Sequence, residues 1–257
     1  MACRFTIRGL VVILLLSTTA SASAQFEDLF RRRSRPRNSN PAVSRLEQMK
    51  NEANQAYERR DYNRVISLTS SVLGQNPRDH VAFYLRASAR CELGYQRHDK
   101  QMLRDGISDS REALRYGNGT NRLYYIPYIY GMTKLAEVED KPTHAETAVE
   151  VATQALGIQS LKTEEKAHLT YQRGGAHLYL GQFDEAVADF DAAIAIDRQL
   201  VSAYLGRAEA YLLSEKADKA RESYDQFVAV FPQSAMAYDY RGVFFQQQGQ
   251  LDEAIAD

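Results

Sequence analysis

The sequence predicts an all-α chain, a row of antiparallel helix hairpins, and three observations carry that expectation. Ala186, Ala220 and Ala254 stand 34 residues apart, and the same step joins Gly174, Ala208 and Gly242, then Arg173, Arg207 and Arg241. Three unrelated residue classes repeating in phase mark one supersecondary unit used again and again. Proline is scarce, six in 257 residues, so helices can run with few interruptions. With 44% hydrophobic and 25% charged residues there is material for an ordinary core, which excludes collagen-like and disulfide-rich classes.

From the N-terminus, residues 1–24 read as a secretory signal. Arg4 and Arg8 give the positive start, Leu10 to Leu16 the apolar run, and Ala22-Ser23-Ala24 the small residues before a cleavable bond. The run is well short of the roughly 20 apolar residues that a span requires. The mature chain is therefore expected to start after Ala24, exported to a periplasm or secreted. Residues 25–45 read as a disordered linker in which Arg31, Arg32, Arg33, Arg35 and Arg37 crowd together. That cluster has the charge to touch a membrane or cell-wall polyanion, although a solvated tether is the plainer expectation. Of the two cysteines, Cys3 leaves with the signal, so Cys91 has no intramolecular partner and reads as a small core residue.

The repeats occupy residues 46–257. Residues 46–79 carry Ala53, Tyr57, Asp61-Tyr62, Val65 and Pro77 in phase. Residues 80–120 carry Phe83, Ala87 and Gly94, then an insertion around Tyr95 to Met102 that should lengthen the turn or extend a helix, before Gly106 and Ala113. In residues 121–162, Tyr124 and Tyr128 precede an expansion near Glu137 to Pro142, and Ala148 and Ala155 follow it. Pro127 should kink or delay the first helix there. Thr163-Glu164-Glu165 suits a cap for the next unit.

Residues 167–200 form the clearest unit, with Tyr171, Gly174 and Leu178 on one helix, Gly181 as a left-handed terminus, and Asp184-Glu185-Ala186, Phe190 and Ala193 on the next. Residues 201–234 repeat it with Phe227 in place of a small residue, which puts helix spacing in question. Residues 235–257 stop partway through a unit, leaving Val243, Phe244, Leu251 and Ile255 short of cover, which suits self-association at this last repeat.

Chemistry-bearing patterns are missing. No glycine-rich loop ends in Lys-Ser/Thr, and Gly117-Asn118-Gly119 reads as a turn. The five histidines lack the spacing of a helical zinc site. Asp189 and Asp191 flank Phe190 and point to different faces, so they cannot act as a local acid/base pair. No catalytic, cofactor or metal residue is assigned and no small-molecule substrate is evident. Removing Arg4 and Arg8 takes the formal charge from −1 to −3, a balance that does not draw nucleic acid.

The sequence resembles the tetratricopeptide repeat family, whose unit of 34 residues is two antiparallel helices. The resemblance implies a right-handed superhelical solenoid of about five and a half repeats. It also implies a concave groove lined by the first helices, which binds a protein or peptide. Transferred onto this chain, the groove register falls on Tyr84, Arg122, Tyr125, Ile129, His168, Tyr171, Tyr179, Leu205 and Glu209. Tyrosine suits such recognition because it gives large contact area at small entropic cost. Some family members hold a C-terminal carboxylate in a clamp. Lys50, Asn54 and Arg122 match parts of it, but Leu85 and Ile126 stand where two donors should. The expected role is thus a non-enzymatic scaffold; the alternative is the substrate-docking part of an enzyme whose catalytic domain lies beyond residue 257.

Overall fold

The computed structural model describes residues 41–118 and 121–257. The signal at Met1–Ala24, the arginine cluster Arg31–Arg37 and Gly119-Thr120 lie outside the described residues. Among the described residues there are twelve α-helices, one 3-10 turn and no strand. They pair as hairpins: α1 (Pro41–Glu58) with α2 (Tyr62–Gln75), α3 (His80–Gln96) with α4 (Lys100–Tyr116), and α5 (Tyr125–Glu139) with α6 (Pro142–Leu156). Then come α7 (Thr163–Tyr179) with α8 (Phe183–Ile196), α9 (Val201–Leu213) with α10 (Ala217–Val230), and α11 (Ala235–Gln247) with α12 (Leu251–Ala256). The chain divides into two compact units, one ending at Glu165 and the other covering Lys166–Asp257. In the first, α3 packs against α1, α2, α4 and α5; in the second, α9 packs against α8 and α10.

One turn geometry closes all six hairpins. Between the two helices stands a single residue with left-handed backbone: Arg60, His98, Asp140, Gly181, Glu215 and Gly249. The residue after it donates its N–H to the carbonyl five positions back, as in Asp61 to Ala56 (2.9 Å), Asp99 to Gly94 (2.8 Å) and Gln182 to His177 (3.0 Å). Lys141 to Ala136, Lys216 to Tyr211 and Gln250 to Phe245 repeat it. This bond satisfies a carbonyl orphaned at the helix end and turns the chain back sharply. The expected left-handed Gly181 is there (φ 73°), but four of the six positions carry a side chain.

Helix starts follow local chemistry. Asp61, Asp79 and Asp99 each accept an N–H three residues on, from Arg64, Ala82 and Met102. The insertion near Tyr95 leaves the turn short and extends both helices, 17 residues each. Pro127 delays its helix: Arg122–Tyr124 form the 3-10 turn, and the proline then sits in the first turn of α5, where a missing N–H costs little. At α7, the Glu165 carboxylate reaches back to the Lys162 N–H (3.0 Å) and also takes the Arg122 N–H (3.3 Å). The acid thus closes the start of this helix from inside its first turn.

Close helix approach depends on small residues. A Cβ added at Gly174 would lie 2.9 Å from the Phe190 ring, and one at Gly206 would lie 2.7 Å from it. The ring, 1% exposed, is therefore held between the backbones of α7 and α9. Cys91 does the same work in the first unit, where its sulfur would meet a Cβ at Gly106 (2.6 Å) and at Gly131 (2.8 Å). The thiol is fully buried, donates to the Pro127 carbonyl (3.5 Å), and burial pushes its pKa up. A protonated, enclosed thiol is a poor nucleophile. Phe227 is also fully buried and is accommodated by rings, stacking on Tyr204 (6.0 Å) and meeting Phe231 edge-on (5.4 Å).

A polar seam joins α3 to α5. Partly buried Glu92 accepts from the Tyr130 hydroxyl (3.1 Å). Lys134 lies 4.4 Å from the Tyr95 ring centroid and pairs with Glu137 (2.7 Å). Burial holds the Glu92 carboxyl above its ordinary range, and the Tyr130 bond, Lys134 and Arg60 offset this only in part.

The glycine contacts and the Glu92 environment can each be tested by substitution. Gly206→Ala should lower stability by about 1 kcal/mol because overpacking against Phe190 exceeds the gain in helix propensity. Gly175, with nothing within 4 Å of an added Cβ, is the contrast: Gly175→Ala should raise stability by about 0.5–1 kcal/mol. Urea unfolding of the two variants reads both signs, and a stabilised Gly206→Ala would refute the close approach. For Glu92, an unfolded glutamate titrates near about 4.3. Since its folded value is higher, this group costs the fold stability as pH rises through that interval. Glu92→Gln should match the wild type at about pH 4 and exceed it at about pH 8; an equal difference at both pH values would contradict the burial argument.

Candidate partner-binding face

The nine groove-register residues lie in both compact units. In the first unit, Tyr84 on α3 is 2% exposed, its ring 5.2 Å from that of Tyr124, and Ile129 on α5 is fully buried. Arg122 in the 3-10 turn and Tyr125 at the start of α5 are partly buried. In the second unit, His168 on α7 and Leu205 on α9 are buried, whereas Tyr171, Tyr179 and Glu209 keep part of their surface. Tyr171 packs one side against Phe190, 5.8 Å between centroids, and borders the cluster of Ala167, Ala193, Leu200 and Ala203.

Four of the nine expected contacts are thus enclosed. Tyr84, Ile129, His168 and Leu205 carry packing rather than accessible surface, because neighbouring helices cover the register positions on which they fall. Burial has electrostatic consequences for two of them. The Tyr84 hydroxyl is pushed up by desolvation, and the His168 imidazole is pushed down to about 4 by desolvation although Asp197 pulls the other way. His168 is therefore a neutral core group at ordinary pH. The partly exposed set is Arg122, Tyr125, Tyr171, Tyr179 and Glu209.

The carboxylate clamp fails on more than its two missing donors. Lys50 is 2% exposed and its ammonium is held by Asp79 (2.9 Å) and Glu47 (2.8 Å), while Leu85 is fully buried. An ammonium already bonded twice to carboxylates has little to offer an incoming one. The sequence did not single out the partly buried cluster of Tyr95, Tyr130 and Lys134 in the first unit. Its members lie on two helices, and no spacing along the chain announces their approach.

Other polar groups hold structural partners. His80 meets the Tyr124 hydroxyl (2.6 Å), His144 meets Glu139 (3.1 Å), and His177 meets Gln182 (2.6 Å). Glu139 also takes Arg104, and these contacts, His144 foremost, hold its carboxyl below the usual range. Among the described residues no group of three or more His, Cys, Asp or Glu is placed to hold a metal, and no helix is long and apolar enough to cross a membrane.

Comparison with known proteins bears on this geometry. Residues 174–215 match a family model described as TPR repeat, and residues 205–257 one described as tetratricopeptide repeat. A stretch of 79 residues, 31% of this chain, is 33% identical to DnaJ homolog subfamily C member 7 of Homo sapiens and likewise of Mus musculus. It spans 16% of those relatives. Among solved structures, the chain resembles a thermophilic TPR protein of Thermus thermophilus with a TM-score of 0.67 at 20% identity, over 78% of this chain and 99% of that one. It also resembles PilW, described as a widely conserved type IV pilus biogenesis factor, with a TM-score of 0.61 at 16% identity, over 85% and 91%. Likeness at such identity speaks for the fold: residues 174–257 match tetratricopeptide repeat models, and the 34-residue phase and the six alike turns accord with that fold along the described residues.

Proposed function

We propose that this chain is an exported scaffold that docks a protein or peptide on the partly exposed tyrosines of its first helices. The observation that carries the reading is selective exposure. Tyr125, Tyr171 and Tyr179 keep accessible surface where Tyr84, Ile129, His168 and Leu205 at equivalent register are enclosed. A tyrosine anchored on one side by packing, as Tyr171 is by Phe190, loses little entropy on binding. Arg122 stands three residues before Tyr125 in the first unit and Glu209 keeps part of its surface in the second, so each unit carries a charge that suits a polar rim. Export rests on the signal at residues 1–24, and Arg31–Arg37 would then tether the repeats to anionic envelope polymers or lipid.

Replacing Tyr125, Tyr171 and Tyr179 together by alanine should weaken partner capture from the envelope fraction by at least about tenfold, while helical circular dichroism stays unchanged. Capture at unaltered affinity would remove the tyrosine face from the proposal. Leu251 and Ile255 are 59% and 84% exposed, so self-association is the competing cause of any retained bait, and sedimentation of the bait alone separates the two. The export arm has its own check: intact mass of the chain recovered from outside the cytoplasm should begin at Gln25, and a chain still carrying Met1 there would contradict cleavage.

A further inference from the structure

The arginines that repeat every 34 residues grip the second helix of their own hairpin through Nε and Nη2, and two of the three also reach back to the hairpin before. Arg173 donates through Nε and Nη2 to Asp189 of its own hairpin, at 2.9 and 2.6 Å. Arg241 clasps Asp257 of its own hairpin in the same forked way, and its Nη1 donates to Asp225 on α10 of the hairpin before it (2.8 Å). Arg207 donates to Ser223 (3.1 Å) and Gln226 (2.6 Å) on α10, and its Nη1 goes back to Asp191 on α8 (2.6 Å). The first unit holds the same arrangement. Arg86 forks onto Asp109 (2.8 Å for each bond) and sends Nη1 back to Ser70 on α2 (3.2 Å).

For Arg207 and Arg241 a forward partner lies 16 residues after the arginine and the backward partner 16 before it, so the two acids flanking Phe190 serve different arginines. Asp189 is used inside the hairpin, and Asp191 by the next one. At one junction donor and acceptor are both replaced, whereas Arg173 is kept although Gly157 stands 16 residues before it. In the third hairpin Pro127 occupies the arginine position, and on α4 before it Arg111 occupies the place of the acid, where it meets the Tyr128 hydroxyl instead (3.1 Å). A generic surface charge pattern would not lose both halves of one pair at one junction.

We propose that these arginines are register keys. Arg86, Arg207 and Arg241, each locked to its own hairpin on one edge, read an acid or hydroxyl on the second helix of the preceding hairpin, and so fix the offset between neighbours. The planar fork suits this, because three of its nitrogens bond in fixed directions and Arg207, with its side chain 9% exposed, has little freedom to tilt. Apolar wedges such as Phe190 against Gly206 also resist sliding, and the arginine bonds add direction to them. The proposal stands on repeat-to-repeat geometry and does not depend on the tyrosine face.

The pair Asp225–Arg241 gives the cleanest test, since the Asp225 side chain is 44% exposed and its removal leaves no enclosed void. Site-resolved hydrogen exchange on the whole chain should show Asp225→Asn speeding exchange in α11 and α12 by roughly tenfold more than in α9 and α10. Asp225→Glu should recover most of the protection. In a double-mutant cycle, Arg241→Gln added to Asp225→Asn should speed exchange less than the product of the two single effects. Equal acceleration of both hairpins, a change below about twofold in α11 and α12, or multiplicative single effects would each overturn the register role. Glu222→Gln, on an exposed mid-helix position of α10 outside the pairs, should leave the exchange pattern unchanged.

Discussion

A helix of 13 to 18 residues cannot shield its own apolar side, and this chain solves the problem by letting backbones touch. The Phe190 ring shows how. It belongs to α8, yet its edges rest on the backbones of α7 and α9 at Gly174 and Gly206, so one side chain fills the space between its own hairpin and the next. Cys91 between Gly106 and Gly131 is the same solution with a smaller wedge. Each such contact needs a missing Cβ on one side and a close-fitting group on the other, which is why small residues hold the 34-residue phase more faithfully than large ones.

The turns transmit that constraint along the chain. Every hairpin among the described residues reverses through one left-handed residue and one N–H bond to the carbonyl five positions back, so the two helices always leave the turn in the same relation. A side chain in that conformation costs on the order of 1 kcal/mol, and Arg60, His98, Asp140 and Glu215 accept the cost. The uniform geometry is therefore imposed by packing on either side of the turn and not by glycine preference at the turn itself.

That distinction explains what was legible in the sequence. The period, Gly181 as a left-handed terminus, the small residues at helix crossings and the delaying effect of Pro127 are local or strictly periodic features, and each could be read from residue type and spacing. The other turns with side chains could not, because their conformation comes from tertiary packing. Burial of the groove register was equally hidden. The register assigns a direction to a residue on its own helix, while enclosure of Tyr84, Ile129, His168 and Leu205 depends on what the neighbouring helices bring, such as Tyr124 beside Tyr84. The repeating arginines were visible as a pattern, but their partners were not, since a spacing of 16 residues means nothing until the hairpin folds it into contact.

Selectivity for order is the harder demand on a row of near-identical parts. Hydrophobic faces that all resemble one another would accept several neighbours, and burial alone gains nearly as much from a slipped junction as from the right one. Directional bonds add discrimination, because a guanidinium moved out of reach of Asp191 or Asp225 exchanges a fixed carboxylate partner for water. A wrong offset loses one charge-assisted bond at each junction, a modest cost because Asp191 and Asp225 are 50% and 44% exposed and water screens the pair. The ion pairs between hairpins thus add direction to a choice that the close apolar contacts also make. A fold assembled from interchangeable pieces needs that choice made by groups with direction, leaving the first helices α7 and α9 in one fixed relation within their unit.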